Sequence, residues 1–64
     1  MKYSLKKNNG YVIYEAESKK IVHHYKPKEF DQVIMFFKIK RCPPETFCAV
    51  SNAERKSIED ACNF

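Results

Sequence analysis

The sequence predicts an α+β fold: a three-stranded antiparallel β-meander, one helix packed on the sheet, and a short C-terminal helix. Three observations predict it. Residues 1–26 alternate apolar and polar side chains around turn-forming residues, as strands do. Residues 27–41 repeat apolar side chains at helical spacing, and residues 51–54 form a helix-capping sequence. We expect one small domain over 1–64, with the meander at 1–26, the helix at 27–41, an extended connection at 42–50 and the last helix at 51–63.

Two turns determine how the predicted strands pair. Asn8-Asn9-Gly10 tolerates the positive φ of a tight two-residue hairpin turn, and a second turn is centred on Ser18-Lys19. If the second turn pairs Ala16 with Ile21, the predicted core face carries Tyr3, Leu5, Val12, Tyr14, Ala16, Ile21, His23 and Tyr25. The opposite face then carries Ser4, Lys6, Tyr11, Ile13, Glu15, Val22, His24 and Lys26. Because this second face mixes lysines with apolar side chains, it is a candidate binding surface.

The segment 27–41 has the features of an amphipathic helix. Pro27 suits a first helical turn, and acidic residues come early while basic residues come late, which complements the helix dipole. The stripe expected to pack on the meander consists of Phe30, Val33, Ile34 and Phe37. A buried strand over residues 33–37 is the alternative, because that run is rich in β-branched and aromatic residues.

Two signals organise the last third of the chain. Cys42-Pro43-Pro44 ends the first helix, because a residue that precedes proline is disfavoured in the α region. Ser51-Asn52-Ala53-Glu54 fits a capping box, in which the serine hydroxyl and the glutamate carboxylate each accept a hydrogen bond from a free backbone N–H. The helix that follows has an apolar stripe of Ile58, Ala61 and Cys62.

The helix at 27–41 carries more apolar side chains than one face of a small domain can bury. Met35, Phe36 and Ile39 lie away from its predicted core face. One interpretation is that residues 45–63 cover them. The interpretation we favour is that a larger protein partner or a second copy of the chain covers them, since Met and Phe are typical of interfaces. The predicted partner-binding residues are Met35, Phe36, Ile39, Tyr11 and Ile13.

Basic residues are concentrated in the first half of the chain. Residues 1–28 contain seven lysines and two glutamates, in a chain with a net charge of +4. Such an asymmetry suits an anionic partner. Nucleic acid is therefore the alternative partner, with lysines at phosphates and an aromatic ring stacked on a base. The residues predicted for this alternative are Lys6, Lys19, Lys20, Lys26, Tyr11 and His24.

Enzyme activity and cofactor binding are not expected. The chain has 64 residues and one glycine, and it contains neither a phosphate-binding glycine loop nor a metalloprotease motif. Its three cysteines, Cys42, Cys48 and Cys62, are an odd number, which argues against the disulfide framework of a secreted protein. Their spacing lacks the close pair of a structural zinc site. We expect no catalytic residues, no cofactor and no metal.

The sequence predicts a small non-enzymatic protein that binds a larger partner as a regulator or inhibitor. The N-terminus lacks the apolar segment of a signal peptide, and the longest apolar run, residues 33–37, is too short to span a bilayer. We therefore expect a cytoplasmic protein without membrane association. Short chains are frequent among phage and mobile-element accessory proteins, so we expect such a source and, in that case, the host cytoplasm.

Overall fold

The computed structural model describes residues 2–62, which form a four-stranded mixed sheet and two helices. In chain order the elements are β1 (Tyr3–Lys7), β2 (Tyr11–Glu15), β3 (Ile21–Tyr25), α1 (Phe30–Lys40), β4 (Phe47–Cys48) and α2 (Asn52–Cys62), and a 3₁₀ turn at Pro27–Glu29 leads into α1. The predicted α+β class is confirmed, and residues 33–37 are helical. Neither helix in the described part of the chain is long and apolar enough to cross a membrane.

The sheet contains a strand that the sequence did not predict. β4 pairs in parallel with β1, so the strand order is β3-β2-β1-β4. Backbone hydrogen bonds hold this edge: the N–H of Leu5 donates to the carbonyl of Thr46 (3.0 Å), and that of Glu45 donates to the carbonyl of Tyr3 (2.7 Å). The prediction of a purely antiparallel three-stranded sheet is therefore wrong. A two-residue strand is too short for an alternation of apolar and polar residues to be visible in the sequence. It forms because the chain comes back alongside β1 after α1.

The loop between β1 and β2 has three residues, and this reverses the predicted faces of β2. Lys7 pairs with Tyr11 and Leu5 pairs with Ile13. Since side chains alternate along a strand, a change of one residue in loop length moves every side chain of β2 to the other face. Gly10 makes this loop possible, because its φ is +138° and a Cβ there would lie 2.4 Å from the carbonyl oxygen of Tyr25.

The loop between β2 and β3 is centred one residue earlier than the predicted turn at Ser18-Lys19. The Lys19 N–H donates to the Glu15 carbonyl and the Glu15 N–H donates to the Lys20 carbonyl, which closes a four-residue loop with Lys19 at φ +63°. An irregularity follows, because Tyr14 pairs with Ile21 whereas Ile13 pairs with His23. Val22 is therefore an extra residue on β3, a β-bulge that the sequence did not predict.

Both helices pack on the same face of the sheet. One cluster of buried side chains joins the sheet to the helices and consists of Tyr3, Leu5, Tyr11, Ile13, Val33, Phe36, Phe37 and Ile58. The predicted capping box of α2 is confirmed: the Glu54 N–H donates to the Ser51 hydroxyl and the Ser51 N–H donates to the Glu54 carboxylate. His23 and Tyr25 face this core as predicted, and their rings stack at a centroid distance of 5.4 Å.

Candidate binding face of the sheet

The face of the sheet opposite the helices is uncovered by any other element of residues 2–62. We call this surface the open face. Side chains along a strand point alternately to the two faces of the sheet, and the open face receives those that alternate with the core residues in all four strands. The open face consists of Ser4, Lys6, Val12, Tyr14, Ile21, His24 and Cys48, of which Ser4 and Val12 are 2% and 8% exposed. A sheet with one covered and one uncovered face usually carries mainly polar residues on the uncovered one, whereas four of these seven side chains are apolar or weakly polar.

A shallow hollow of about 390 Å³ occupies the middle of the open face. Its walls combine apolar side chains with two lysines, and the lining residues are Lys6, Asn8, Val12, Tyr14, Lys19, Ile21 and Cys48. Ile21 is 64% exposed although it is large and apolar. The hollow therefore offers apolar contact area with positive charge at its rim.

The charge around the hollow is positive. The Lys19 ammonium lies 5.9 Å from the centroid of the Tyr14 ring, which holds it at the rim by a cation–π contact. The ion pairs found among residues 2–62 use Lys2, Lys7 and Arg55, so no described carboxylate neutralises Lys6 or Lys19.

No acidic side chain counters this charge from within the sheet. Glu15 is the one acidic residue in the four described strands. It pairs with Tyr3, so its side chain lies on the face that the helices cover. An anionic group that approaches the open face therefore meets no strand carboxylate.

The residues predicted to bind a protein partner do not form one surface. Tyr11 and Ile13 are 5% and 0% exposed and belong to the core, so their prediction as surface residues is wrong, for the reason of loop length given above. Phe36 is also buried, at 8% exposed, because its ring packs edge-on against Tyr3 and His23, each at a centroid distance of 5.2 Å. Met35 and Ile39 are exposed on α1, as predicted.

Most of the basic residues predicted for nucleic-acid binding do lie together. Lys6 and His24 are on the open face and Lys19 is at the rim of the hollow. Lys20 and Lys26 stand immediately before and after β3.

Tyr11 does not join these basic residues. Its hydroxyl is directed to Glu54 on the helix side of the sheet, and Tyr14 is the aromatic residue of the open face. A three-residue loop ending in glycine is a known alternative to the two-residue turn, and with that loop length at Asn8-Asn9-Gly10 Tyr14 lies on the open face.

The three cysteines are free thiols. Cys48 is exposed on the open face, whereas Cys42 and Cys62 are half-buried near the helices. Burial raises the pKa of the Cys62 thiol. Within residues 2–62 no three His, Cys, Asp or Glu side chains are grouped closely enough to hold a metal ion.

Comparison with known proteins finds no matching family model, no similar curated protein and no similar solved structure. The open face is the most distinctive part of the surface of residues 2–62.

Proposed function

We propose that this chain is a small non-enzymatic binding protein that docks its open face on an acidic surface of a larger protein and thereby regulates or inhibits it. The observation that carries the proposal is the hollow, which combines exposed apolar side chains with two lysines that no described carboxylate neutralises. An exposed apolar patch with a polar rim is typical of a protein-binding surface.

The apolar part of the hollow supplies the contact area. Ile21 and Tyr14 stand at its wall, and Val12 forms part of the lining between β1 and β3. A tyrosine ring adds contact area at low cost in conformational entropy and keeps a polar group for the rim. Burial of such side chains by a partner is favourable by about 25 cal/mol per Å² of apolar surface removed from water.

The lysines supply selectivity. Lys6 and Lys19 form no ion pair within residues 2–62, so a partner that brings carboxylates to the rim gains electrostatic attraction. Complementary charge of this kind steers association and rejects partners of the wrong sign more than it adds affinity. The partner surface is therefore acidic around an apolar projection.

The prediction that Met35 and Ile39 contact a partner concerns a different surface from the open face. They are 49% and 70% exposed, and they stand on α1, which packs on the opposite side of the sheet. A rigid partner seated on the open face does not reach them. They therefore serve as a control patch of similar chemistry.

Nucleic acid is the second candidate, and one specific observation favours it. Tyr14 shares the open face with Lys6 and His24, and the Lys19 ammonium stands over its ring. An aromatic ring among unpaired basic groups is the pattern on which single-stranded nucleic acid stacks. In this case affinity falls steeply with salt, because each phosphate contact releases counterions.

The two candidates separate in one capture experiment. The immobilised protein, Ile21→Asp and Met35→Asp are each exposed to nuclease-treated lysate of the native host, and the captured protein is identified, purified and titrated. We expect an acidic protein that binds the wild type and Met35→Asp alike and loses affinity for Ile21→Asp. Equal binding to all three forms overturns the proposal.

Binding of a labelled single-stranded oligonucleotide that disappears in Tyr14→Ser and in high salt supports the second candidate instead.

A further inference from the structure

The β3 strand is a free edge of the sheet. It contains five residues, whereas the opposite edge strand β4 contains two. Natural sheets protect long edges with lysine, proline or inward-pointing charges. The β3 sequence, Ile21-Val22-His23-His24-Tyr25, contains none of these, and its bulge at Val22 is its single protective feature. Ile21 and Val22 are exposed large apolar residues at this edge.

The backbone of His24 faces away from the sheet. Glu15 bonds toward β3, because its N–H donates to the Lys20 carbonyl. Since bonding direction alternates along an antiparallel pair, Ile13 and Tyr11 also bond toward β3, and their partners are His23 and Tyr25. The N–H and carbonyl of His24 lie between those two partners and point outward. They are in position to pair with one further strand.

Side chains of the chain itself close both ends of this edge. The Lys26 N–H donates to the Glu29 carboxylate (2.8 Å), and the Lys20 N–H donates to the Ser18 hydroxyl (3.3 Å). The part of the edge available for pairing is therefore bounded by two lysines. Five residues lie between them, and the distance from one lysine to the other is roughly 20 Å along an extended strand.

The flanking lysines decide what kind of strand fits. A second copy of the chain, paired antiparallel about the outward-facing His24, brings Lys26 of each copy opposite Val22 of the other, so this lysine gains no opposite charge. A segment with carboxylates at both ends brings opposite charges close to both lysines, in either orientation.

We infer that β3 accepts an extended segment of the partner protein by strand addition, and that this segment is apolar in the middle with an acidic residue at each end. The inference rests on the proposed function and specifies how the partner is held: backbone hydrogen bonds at His24 give attachment, and the lysines at either end of β3 select the charge pattern. Strand addition to an exposed sheet edge is a general mode of peptide recognition.

The test uses defined peptides rather than an unidentified ligand. The parent probe is acetyl-Asp-Val-Thr-Val-Thr-Val-Asp-amide, titrated into ¹⁵N-labelled protein to about 1 mM. We expect amide shifts concentrated in β3 and slower hydrogen exchange at the His24 amide. A peptide with lysine in place of both aspartates is expected not to bind. Absence of binding by the parent, or equal binding by the lysine peptide, overturns the inference.

Two N-methylated peptides test the strand geometry. One is methylated at the three valines and the other at the two threonines, so that each lacks the N–H groups on one edge. In strand addition one of the two loses affinity by about ten-fold or more and the other binds like the parent. Equal affinity of both for the protein contradicts strand addition and leaves a simple charge attraction.

The variant His24→Pro links the inference to the partner. Proline removes the outward N–H at an edge position, where it is tolerated better than elsewhere in a sheet. We expect His24→Pro to lose the captured partner and the parent peptide. If it keeps the partner that Ile21→Asp loses, the inference fails while the proposed open-face docking stands. If its amide spectrum shows that His24→Pro does not fold, the two N-methylated peptides decide whether strand addition occurs.

Discussion

The Tyr11 hydroxyl donates a hydrogen bond to the Glu54 carboxylate and thereby joins the sheet to the first turn of α2. The same carboxylate accepts hydrogen bonds from the Ser51 N–H (3.1 Å) and the Lys7 ammonium (3.2 Å). One side chain therefore completes the capping box and ties α2 to the β1–β2 hairpin. The Tyr11 hydrogen bond is the main cause that lowers the pKa of Glu54 to about 2, while burial and then this bond raise the pKa of Tyr11 to about 12.

Removal of the Tyr11 hydroxyl is expected to destabilise the fold. Tyr11→Phe keeps the ring packed on Phe30, at a centroid distance of 5.1 Å, but loses a hydrogen bond to a charged acceptor. Such a bond contributes roughly 2 kcal/mol, so the free energy of unfolding should fall by about that amount. Urea unfolding followed by circular dichroism measures it. The matched control is Tyr14→Phe on the open face, with an expected change within about 0.5 kcal/mol; equal losses in both variants contradict the prediction.

Stability should depend on acid pH through Glu54. Its folded pKa of about 2 is below its ordinary value of 4.5, so the folded state favours the charged form. The stability that Glu54 contributes is therefore fully present above about pH 4.5 and is lost as the pH falls through about 2. The difference in free energy of unfolding between the wild type and Glu54→Gln, measured in urea from neutral to acid pH, should shrink over this interval. A difference that stays constant across it means that the carboxylate charge is not what stabilises this contact.

Two backbone positions with positive φ should respond in opposite directions. Gly10→Ala places a methyl group 2.4 Å from the Tyr25 carbonyl oxygen at φ +138°, and we expect a loss of about 3 kcal/mol. Ala49 has φ +58°, where a Cβ is unfavourable, so Ala49→Gly should gain about 0.5 kcal/mol after the entropic cost of glycine. Thermal unfolding of both variants checks the signs. A stabilising Gly10→Ala means that the hairpin loop differs from the one described.

Two neighbours on α1 should differ sharply in their contribution to stability. Phe36 is 8% exposed within the core, and Phe36→Ala should cost about 3–5 kcal/mol, enough to unfold much of so small a domain. Met35 is 49% exposed, and Met35→Ala should change stability by less than about 1 kcal/mol. Urea unfolding of the pair compares them directly. Similar costs for the two variants would contradict the burial of Phe36.

The parts of the fold that the sequence predicted well depend on local interactions. The helix at 27–41 and the capping box at Ser51 and Glu54 each arise from residues within one or two turns of one another, so their pattern is visible in a short window. The lysines near the open face were also identified, because their charge does not depend on which face of the strand they occupy.

The composition of the open face was decided by loop length. The same alternating pattern in β2 supports either face, and one residue more in the loop at Asn8-Asn9-Gly10 places Tyr11 and Ile13 on the helix side of the sheet and Val12 and Tyr14 on the open face. Local sequence carries little information on that choice, since two- and three-residue hairpin loops use similar residues.

The sequence by itself determined the α+β class, the two helices and the concentration of lysine in the first half of the chain. Only the tertiary structure decided the parallel pairing of β4 with β1, the burial of Phe36 between Tyr3 and His23, and the apolar hollow on the open face. The physical reason is that helix formation and capping are settled among near neighbours. Strand register, sheet edges and the coverage of a helix depend on contacts between residues that are distant in the chain.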